Sequence, residues 1–188
     1  MNRRTLLKGL AVAPFMIALT RPGRAAQQMG VTMNVEDLRK NWQEYLADGA
    51  DVVLSTEPLK RSESEWKQSL TPQQFDVLRR EGTERPFSSP LNDEKRPGVF
   101  VCAGCSLPLF TSAMKFDSGT GWPSFFTTIP GAFGTKRDFK LIWPRTEYHC
   151  VRCSGHHGHI FDDGPPPTGE RWCNNGVALR FIPKTEKS

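Results

Sequence analysis

The cysteines are the side chains of this sequence with the clearest potential for chemistry. Four of the five form two C-x-x-C pairs: Cys102 with Cys105, and Cys150 with Cys153. Paired thiols at this spacing are typical of structural zinc sites, in which four thiolates surround one ion. The fifth, Cys173, lies apart in residues 169–175 beside Arg171. Because a neighbouring cation favours the thiolate, we predict that Cys173 is a reactive nucleophile.

The distance between the two cysteine pairs leaves other interpretations open. The spacer covers the 44 residues from 106 to 149, which exceeds the common zinc-ribbon spacing. Two disulfides are one alternative, since an exported protein would permit them. A mixed metal site is another, with these ligands: Cys150, Cys153, His156 and His159. For Cys173, the alternative is a buried structural cysteine without chemistry.

The histidines lie in one window of 11 residues, 149–159. They are His149, His156, His157 and His159. If thiolates fill the metal site, the imidazoles are free for proton transfer. Successive residues of a strand point to opposite faces, so His157 and His159 would face away from His156. We therefore expect a bend at Gly158 that brings the rings to one site.

Two helices are predicted ahead of these residues. In the extension over residues 27–61, Asn34 can cap a helix whose apolar positions recur at helical spacing as far as residue 48. The second helix begins at a capping box formed by Thr71 and Gln74, with Pro72 at its first position, and Gly82 is expected to end it. The second helix would lay one narrow apolar face on a core, whereas the first is expected to be a docking or spacer element without chemistry.

Short strands are predicted for the second half of the chain. Their expected ranges are 99–102, 125–128, 139–143, 147–150, 159–161 and 177–182. Turns rich in Gly and Pro separate them, and residues 164–169 must run as an extended loop because proline cannot donate to a ladder. The predicted fold class is mainly β, with the helices in front of the sheets.

The positive charge of the chain is concentrated at its start. The first 26 residues contain five of the 25 basic side chains and no acidic one, so 25 − 5 = 20 basic groups remain against 20 acidic groups. A balanced remainder has no electrostatic footprint for nucleic acid. We therefore expect no nucleic-acid partner and attribute the high isoelectric point to a targeting segment.

Residues 1–26 have the pattern of a secretory signal peptide. A charged start with adjacent Arg3 and Arg4 precedes a short apolar run over 9–19, and cleavage is expected after Ala25 or Ala26. The paired arginines resemble a bacterial twin-arginine signal. We expect a periplasmic protein without a stable membrane anchor after cleavage; an uncleaved amphipathic anchor is the alternative.

Several segments together closely resemble the B-type methionine-R-sulfoxide reductases. These are residues 116–125 (FDSGTGWPSF), 153–161 (CSGHHGHIF), 163–165 (DGP) and 167–175 (PTGERWCNN), besides the two cysteine pairs. The resemblance covers residues 62–183 and leaves 184–188 as a short tail. It implies a β-tent-like fold of two small antiparallel sheets, with one structural Zn²⁺ held by the four paired cysteines on the far side from the active site.

The resemblance also implies roles for individual residues. Cys173 would attack the sulfoxide sulfur, while His156 and His159 would position the substrate and help to protonate its oxygen. Trp122 would pack against the methyl group of the substrate. The remaining matched positions would orient or tune this set: Asp163, Arg171 and Asn175. His157 lies outside the motif, and no role is carried to it.

One departure from the family pattern concerns the fate of the oxidised enzyme. Many members carry a resolving cysteine where this chain has Thr120. We expect a sulfenic acid on Cys173 that an external thiol must reduce, either a thioredoxin-like protein or a small molecule. The expected substrate is methionine-R-sulfoxide, free or in oxidised proteins under repair, and the expected protein is a monomer.

Two rival functions remain for comparison. A zinc-stabilised binding module would use Trp122, Trp143 and Trp172 as one aromatic pocket, with Cys173 incidental. A cysteine hydrolase would use Cys173 with His159 and release an acyl product.

Overall fold

The computed structural model describes residues 34–139 and 143–184 of the chain. The expected signal peptide over 1–26, the start of the extension and most of the tail lie outside the described residues. None of the helices in the described ranges combines the length and the apolar composition that a bilayer crossing requires.

The described part of the chain contains three short α-helices. Their bounds are α1 Val35–Lys40, α2 Glu63–Ser69 and α3 Pro72–Arg80. The helix predicted at Asn34 begins there, since the Asn34 side chain accepts the Glu36 N–H, but it ends early and a separate 3-10 turn follows at Trp42–Tyr45. α2 was not predicted, although Ser62 and Glu65 form a complete capping box.

The capping box predicted for α3 is confirmed. Thr71 and Gln74 exchange their side-chain and main-chain hydrogen bonds, with Pro72 at the first helical position. The end of the helix differs from the prediction, because Glu81 takes the left-handed conformation with φ 58° instead of Gly82. Gly82 is needed for a different reason: a Cβ there would lie 2.2 Å from the Asp76 carboxylate.

Nine strands follow within the described residues. They are β1 Gly98–Cys102, β2 Pro108–Thr111, β3 Lys115–Phe116, β4 Ser124–Phe125, β5 Phe133–Asp138, β6 Arg145–Cys150, β7 His156–Phe161, β8 Arg171–Asn174 and β9 Leu179–Pro183. All pairings between them are antiparallel. They form a three-stranded sheet in the order β2-β1-β9 and a six-stranded sheet in the order β3-β4-β8-β7-β6-β5. The mainly β class with two small antiparallel sheets is confirmed.

Some predicted strand positions were wrong. The strand expected over 139–143 lies at 133–138, and residues 140–142 are outside the described ranges. Phe139 and Trp143 look like strand residues in sequence, but their side chains are 68% and 80% exposed. β2, β3 and β8 were not predicted, and β9 begins later than expected because residues Gly176–Ala178 form a 3-10 turn.

The two sheets share an aromatic core. Phe110 and Phe125 stack with ring centroids 3.8 Å apart, and Phe100 meets Phe125 edge to face at 5.1 Å. All three side chains are fully buried. The burial of these rings and the edge-to-face contact stabilise the packing, so the cluster fixes the three-stranded sheet against the six-stranded one.

The extension runs across the two turns that carry the cysteine pairs. The Val53 N–H donates to the Ser106 carbonyl at 3.0 Å, and the Leu59 N–H donates to the Arg152 carbonyl at 2.7 Å. Ser106 follows Cys105, and Arg152 precedes Cys153. The extension therefore makes main-chain contact with both cysteine turns.

Candidate active site

Cys173 lies at the centre of the six-stranded sheet, on the face away from the aromatic core. Antiparallel pairing places it opposite His159 on one side and opposite Ser124 on the other. Directly opposed residues point to the same face, with Cβ atoms about 4.5–5.5 Å apart. The ladder thus brings the predicted nucleophile and one predicted proton carrier together.

A small cleft of about 120 Å³ opens over this pair. Its lining residues are Thr83, Trp122, Arg145, Gly158, His159, Phe161, Cys173 and Asn175. Four predicted site residues therefore share one cleft: Trp122, His159, Cys173 and Asn175. His156, Asp163 and Arg171 lie around it without lining it.

The bend expected at Gly158 is a β-bulge at His157. Tyr148 on β6 pairs with Gly158, whereas the next residue, His149, pairs with His156, so His157 has no partner across the ladder. The extra residue restores the same facing to His156 and His159. Their ring centroids lie 5.5 Å apart, which places His156 behind His159 as seen from the cleft.

His157 turns to the opposite face and is fully buried. Its ring lies 5.5 Å from Phe133 and 6.4 Å from Tyr148, centroid to centroid. Burial lowers its pKa to about 4. His157 is therefore a neutral core residue.

His156 and His159 each contact a carboxylate that was not among the predicted site residues. The His159 Nε2 atom lies 2.8 Å from the Asp138 carboxylate, and Arg145 donates to the same oxygen at 2.7 Å. The His156 Nδ1 atom lies 2.7 Å from the Glu147 carboxylate. Such partners fix the ring orientation and the tautomer of an imidazole.

The pKa values of His159 and Glu147 reflect both their burial and these hydrogen bonds. Burial lowers the pKa of His159, and the hydrogen bond to Asp138 opposes that shift without reversing it. Burial raises the pKa of Glu147, but hydrogen bonds from His156 and His149 outweigh burial and bring its pKa below the ordinary value. His159 is thus neutral at pH 7, and Glu147 is a charged carboxylate.

Arg171 lowers the pKa of Cys173 as predicted, but the pKa is still raised overall. Burial raises the pKa of the Cys173 thiol, whereas the charge of Arg171 and hydrogen bonds from Arg171 and Thr120 lower it, and the net shift is upward. Asp163 holds Arg171 through two hydrogen bonds of 2.8 and 2.9 Å. Asp163 therefore orients Arg171, while its own negative charge acts on Cys173 in the opposite direction and raises the pKa of the thiol.

Trp122 and Asn175 are fixed through main-chain atoms. The Trp122 indole N–H donates to the Glu84 carbonyl at 3.2 Å. The Asn175 side chain accepts the Glu84 N–H and donates to the His157 carbonyl, both at 2.9 Å. Glu84 was not among the predicted site residues.

The aromatic pocket of the rival binding module does not exist in the described residues. Trp172 points to the core face, where its ring lies 4.9 Å from Tyr148. Trp143 is largely exposed to solvent. Only Trp122 of the three lines the cleft.

The four paired cysteines form a single buried cluster. Their sulfur atoms all lie within 4.8 Å of one another. The pairs closest across the two turns are Cys102 with Cys153 at 3.6 Å and Cys105 with Cys150 at 3.5 Å. Four thiolates around a tetrahedral ion with metal–sulfur bonds near 2.3 Å would lie about 3.8 Å apart, so the cluster fits a metal site.

The geometry of the cluster favours the shared site over both alternatives. All four sulfur atoms converge on one point, whereas two disulfides within the C-x-x-C pairs would not require the pairs to meet. The mixed site fails because His156 and His159 bind carboxylates and stand outside the thiol cluster. The imidazoles are therefore available to the cleft.

Sequence reasoning missed the polar residues that support the site. They are Glu84, Asp138, Arg145 and Glu147. Asp138 and His159 are 21 residues apart and meet only because β5, β6 and β7 are neighbours in the sheet. No motif spacing marks such a pair, since the strand order and register must be known first.

Known proteins resemble this chain over the part that forms the site. The SelR domain family matches residues 70–183. A peptide methionine sulfoxide reductase MsrB of Agrobacterium fabrum is 47% identical over 131 residues, which covers 69% of this chain and 97% of that protein. The MsrB of Methanosarcina barkeri is 49% identical over 135 residues, covering 71% and 94%. The chloroplastic peptide methionine sulfoxide reductase B1 of Arabidopsis thaliana is 51% identical over 121 residues, covering 64% and 60%.

Proposed function

This chain belongs to the MsrB family of peptide methionine sulfoxide reductases, which carry the SelR domain, and on that premise we propose how its residues act. The chain is a peptide-methionine (R)-S-oxide reductase. The observation that carries our proposal is the direct pairing of Cys173 with His159 across β7 and β8, in the cleft that Trp122 also lines.

Cys173 attacks the sulfur of methionine-R-sulfoxide. A sulfoxide oxygen leaves sulfur only when it is protonated, so a nucleophile and a proton carrier must meet at one atom. The net reaction converts Cys–SH and R₂S=O into Cys–SOH and R₂S. The sulfoxide is reduced by two electrons, the thiol is oxidised to a sulfenic acid, and the thiol proton ends on the transferred oxygen.

His159 carries that proton. With Nε2 donating to Asp138, the lone pair of the neutral imidazole lies on Nδ1 and can accept the Cys173 proton. The raised pKa of Cys173 and the lowered pKa of His159 support a resting pair of neutral thiol and neutral imidazole. His159 then passes the proton to the sulfoxide oxygen.

The remaining residues shape the cleft and its charge. Trp122 faces the methyl group of the substrate, a suitable use of an aromatic wall for a polarizable thioether. Arg171, oriented by Asp163, stabilises negative charge on the Cys173 sulfur as it attacks. His156 supports His159 from behind, and Asn175 fixes the end of β8 beside the nucleophile.

The sulfenic acid is reduced by an external thiol. Thr120 stands at the usual resolving position, and its hydroxyl lies 2.8 Å from the hydroxyl of Ser118. The other four cysteines lie together in the buried cluster. Two thiols from a thioredoxin-like protein or a small molecule convert Cys–SOH to Cys–SH, with one water and one disulfide as products.

We propose that the thiol cluster holds one Zn²⁺ through Cys102, Cys105, Cys150 and Cys153. The ion would tie the two cysteine turns together and supply stability, not a chemical step. We further propose that the protein is exported to the periplasm after cleavage behind Ala25 or Ala26 and acts there as a monomer. N-terminal sequencing of the exported form tests this, because an intact Met1 contradicts cleavage.

The decisive experiment follows both epimers of methionine sulfoxide with dithiothreitol as reductant. We expect consumption of the R epimer alone, with Cys173→Ser slowing it by at least about 10³-fold because a hydroxyl is a far weaker nucleophile than a thiol. Free and peptide-bound substrates are compared in parallel. An active Cys173→Ser enzyme would contradict the assignment of Cys173 as the nucleophile. Release of an acyl product from an ester substrate, with the sulfoxides left unchanged, would instead support the hydrolase.

A second measurement tests the external reductant. After one turnover without reductant, mass spectrometry should find one added oxygen on Cys173, which a sulfenic-acid reagent traps. An intramolecular disulfide formed while the metal stays bound would show that a thiol of this chain resolves the intermediate.

A further inference from the structure

Glu84 is a buried carboxylate that lies outside the chemistry described so far. Its side chain is 5% exposed. The two carboxylate oxygens accept the main-chain N–H groups of Gly176 at 2.6 Å and Val177 at 2.8 Å. These are the first residues of the 3-10 turn that directly follows Asn175.

The main chain of Glu84 contacts two residues of the catalytic cleft at once. Its N–H donates to the Asn175 side chain at 2.9 Å, and its carbonyl accepts the Trp122 indole N–H at 3.2 Å. The partners come from two parts of the chain that are both distant from Glu84 in sequence. Glu84 is therefore the point at which the aromatic wall of the cleft joins the segment that carries the nucleophile.

The Glu84 carboxylate itself does not face the substrate. Glu84 lines a separate cleft of about 370 Å³ together with Gly176 and Val177. The catalytic cleft is lined instead by Thr83, which precedes Glu84 in sequence, and by Asn175, which accepts its N–H. Any effect of Glu84 on the reaction must consequently pass through other residues.

The turn that the Glu84 carboxylate holds is closely packed. A Cβ atom on Gly176 would lie 2.1 Å from the Ser89 hydroxyl and 3.3 Å from the Glu84 carboxylate. Burial raises the pKa of Glu84, and the two main-chain hydrogen bonds oppose that shift. Removing a carboxylate from water costs folding free energy. A functional role of Glu84 in the site therefore explains its position better than a contribution to stability does.

We propose that Glu84 is a positioning residue that holds Trp122 and Asn175 at a fixed spacing on either side of Cys173. The inference rests on the proposed roles of those residues. The carboxylate anchors the turn after Asn175, while the amide and carbonyl of the same residue fix the Asn175 side chain and the Trp122 ring. A shift of this residue moves both walls of the cleft.

The test is Glu84→Gln. The amide has one oxygen, which can accept only one of the Gly176 and Val177 N–H groups at its place, and its NH₂ group would face the other N–H. We expect kcat/KM for the R sulfoxide to fall between about 10-fold and about 100-fold, the loss that small misplacements near a reaction produce. KM should rise because the Trp122 wall moves. Glu94→Gln is the matched control, since Glu94 pairs with Arg96 away from the cleft, and it should stay within about twofold of the wild type.

A double-mutant cycle with Trp122→Phe separates positioning from general destabilisation. Phenylalanine has no indole N–H, so the link from Glu84 to the ring is already broken. In that background the KM effect of Glu84→Gln should shrink to less than about threefold. Equal effects in both backgrounds, or an unchanged KM in Glu84→Gln, would overturn the proposal.

Glu84→Asp covers the case in which the glutamine variant does not fold. It keeps the charge but shortens the side chain, so we expect a folded protein with a raised KM and an unchanged rate of Cys173 alkylation. A wild-type KM in a folded Glu84→Asp protein counts against the proposal. Failure of the wild type to reduce the R sulfoxide would instead overturn the proposed function.

Discussion

The four clustered cysteines and Cys173 carry the same thiol group in two different surroundings. In the cluster, hydrogen bonds among the sulfurs drive the pKa of Cys153 below and that of Cys102 above the ordinary thiol value. Cys173 instead meets Arg171, Thr120 and a neutral imidazole, and burial raises its pKa. Four sulfur atoms close enough to surround one ion suit a metal site, whereas a single thiol beside a proton acceptor suits attack on a substrate.

Removal of one cluster thiol should have the largest effect on the molecule. We expect Cys102→Ser to lose most of its bound metal and about 4 kcal/mol or more of unfolding free energy, because a structural metal contributes folding energy directly. Metal analysis and urea denaturation measure both quantities. Cys173→Ser is the control and should keep about one metal per chain and wild-type stability. Full metal content in Cys102→Ser would contradict a shared four-thiolate site.

A change at Asp138 tests the proton acceptor beside Cys173, which is His159. Asp138→Asn removes the charge that orients His159 and supports its protonation, so kcat should fall about 100-fold. Asp138 raises the pKa of His159 against the effect of burial. The histidine limb of the pH–rate profile should therefore move to lower pH in the variant.

Asp163→Asn is the control for this prediction. Asp163 orients Arg171, and its own charge raises the pKa of the thiol against the effect of Arg171, so its loss should cost less than about 10-fold. Equal losses in the two variants would mean that His159 does not depend on its carboxylate.

The smallest expected effect concerns the charge beside Cys173. The alkylation rate of Cys173 by iodoacetamide should rise with pH beyond the range of an ordinary thiol, because burial raises its pKa. Arg171 opposes that shift, so Arg171→Met should move the pKa further upward. We expect about a threefold to 10-fold slower alkylation at pH 7.5, and equal rates at high pH where both thiols are ionised.

Alkylation of Cys173 and of the four cluster cysteines can be compared within one sample. Peptide mass spectrometry reports Cys173 and the four cluster cysteines together, and the metal-bound thiols should remain unmodified. Arg96→Met controls for loss of a cation elsewhere. Faster alkylation of Cys173 in Arg171→Met would show that the guanidinium does not stabilise its thiolate.

Prediction from sequence succeeded where spacing alone defines the chemistry. The two cysteine pairs lie close together as the C-x-x-C motifs indicated, and the α3 capping box formed as its residues predicted. The mainly β class followed from short alternating runs between turns. Within each C-x-x-C pair and within the capping box, the residues that determine the structure lie three apart in sequence.

The support of the site could not be predicted in the same way. Asp138 and Glu147 reach their histidines across strand pairs, and the facing of His156 depends on the bulge at His157. The register of a sheet comes from the packing of the whole core, which short motifs do not encode. α2 is a different case, because its capping box at Ser62 was available in the sequence.

The contacts of the extension with both cysteine turns set an order of assembly. Val53 and Leu59 find their acceptors at Ser106 and Arg152, which follow them by 53 and 93 residues in the chain. Closing loops of that length costs conformational entropy before the contact is made, so we expect these two contacts to form late in folding. Protection of these two amides in a pulsed hydrogen-exchange experiment would then report that both cysteine turns have come together.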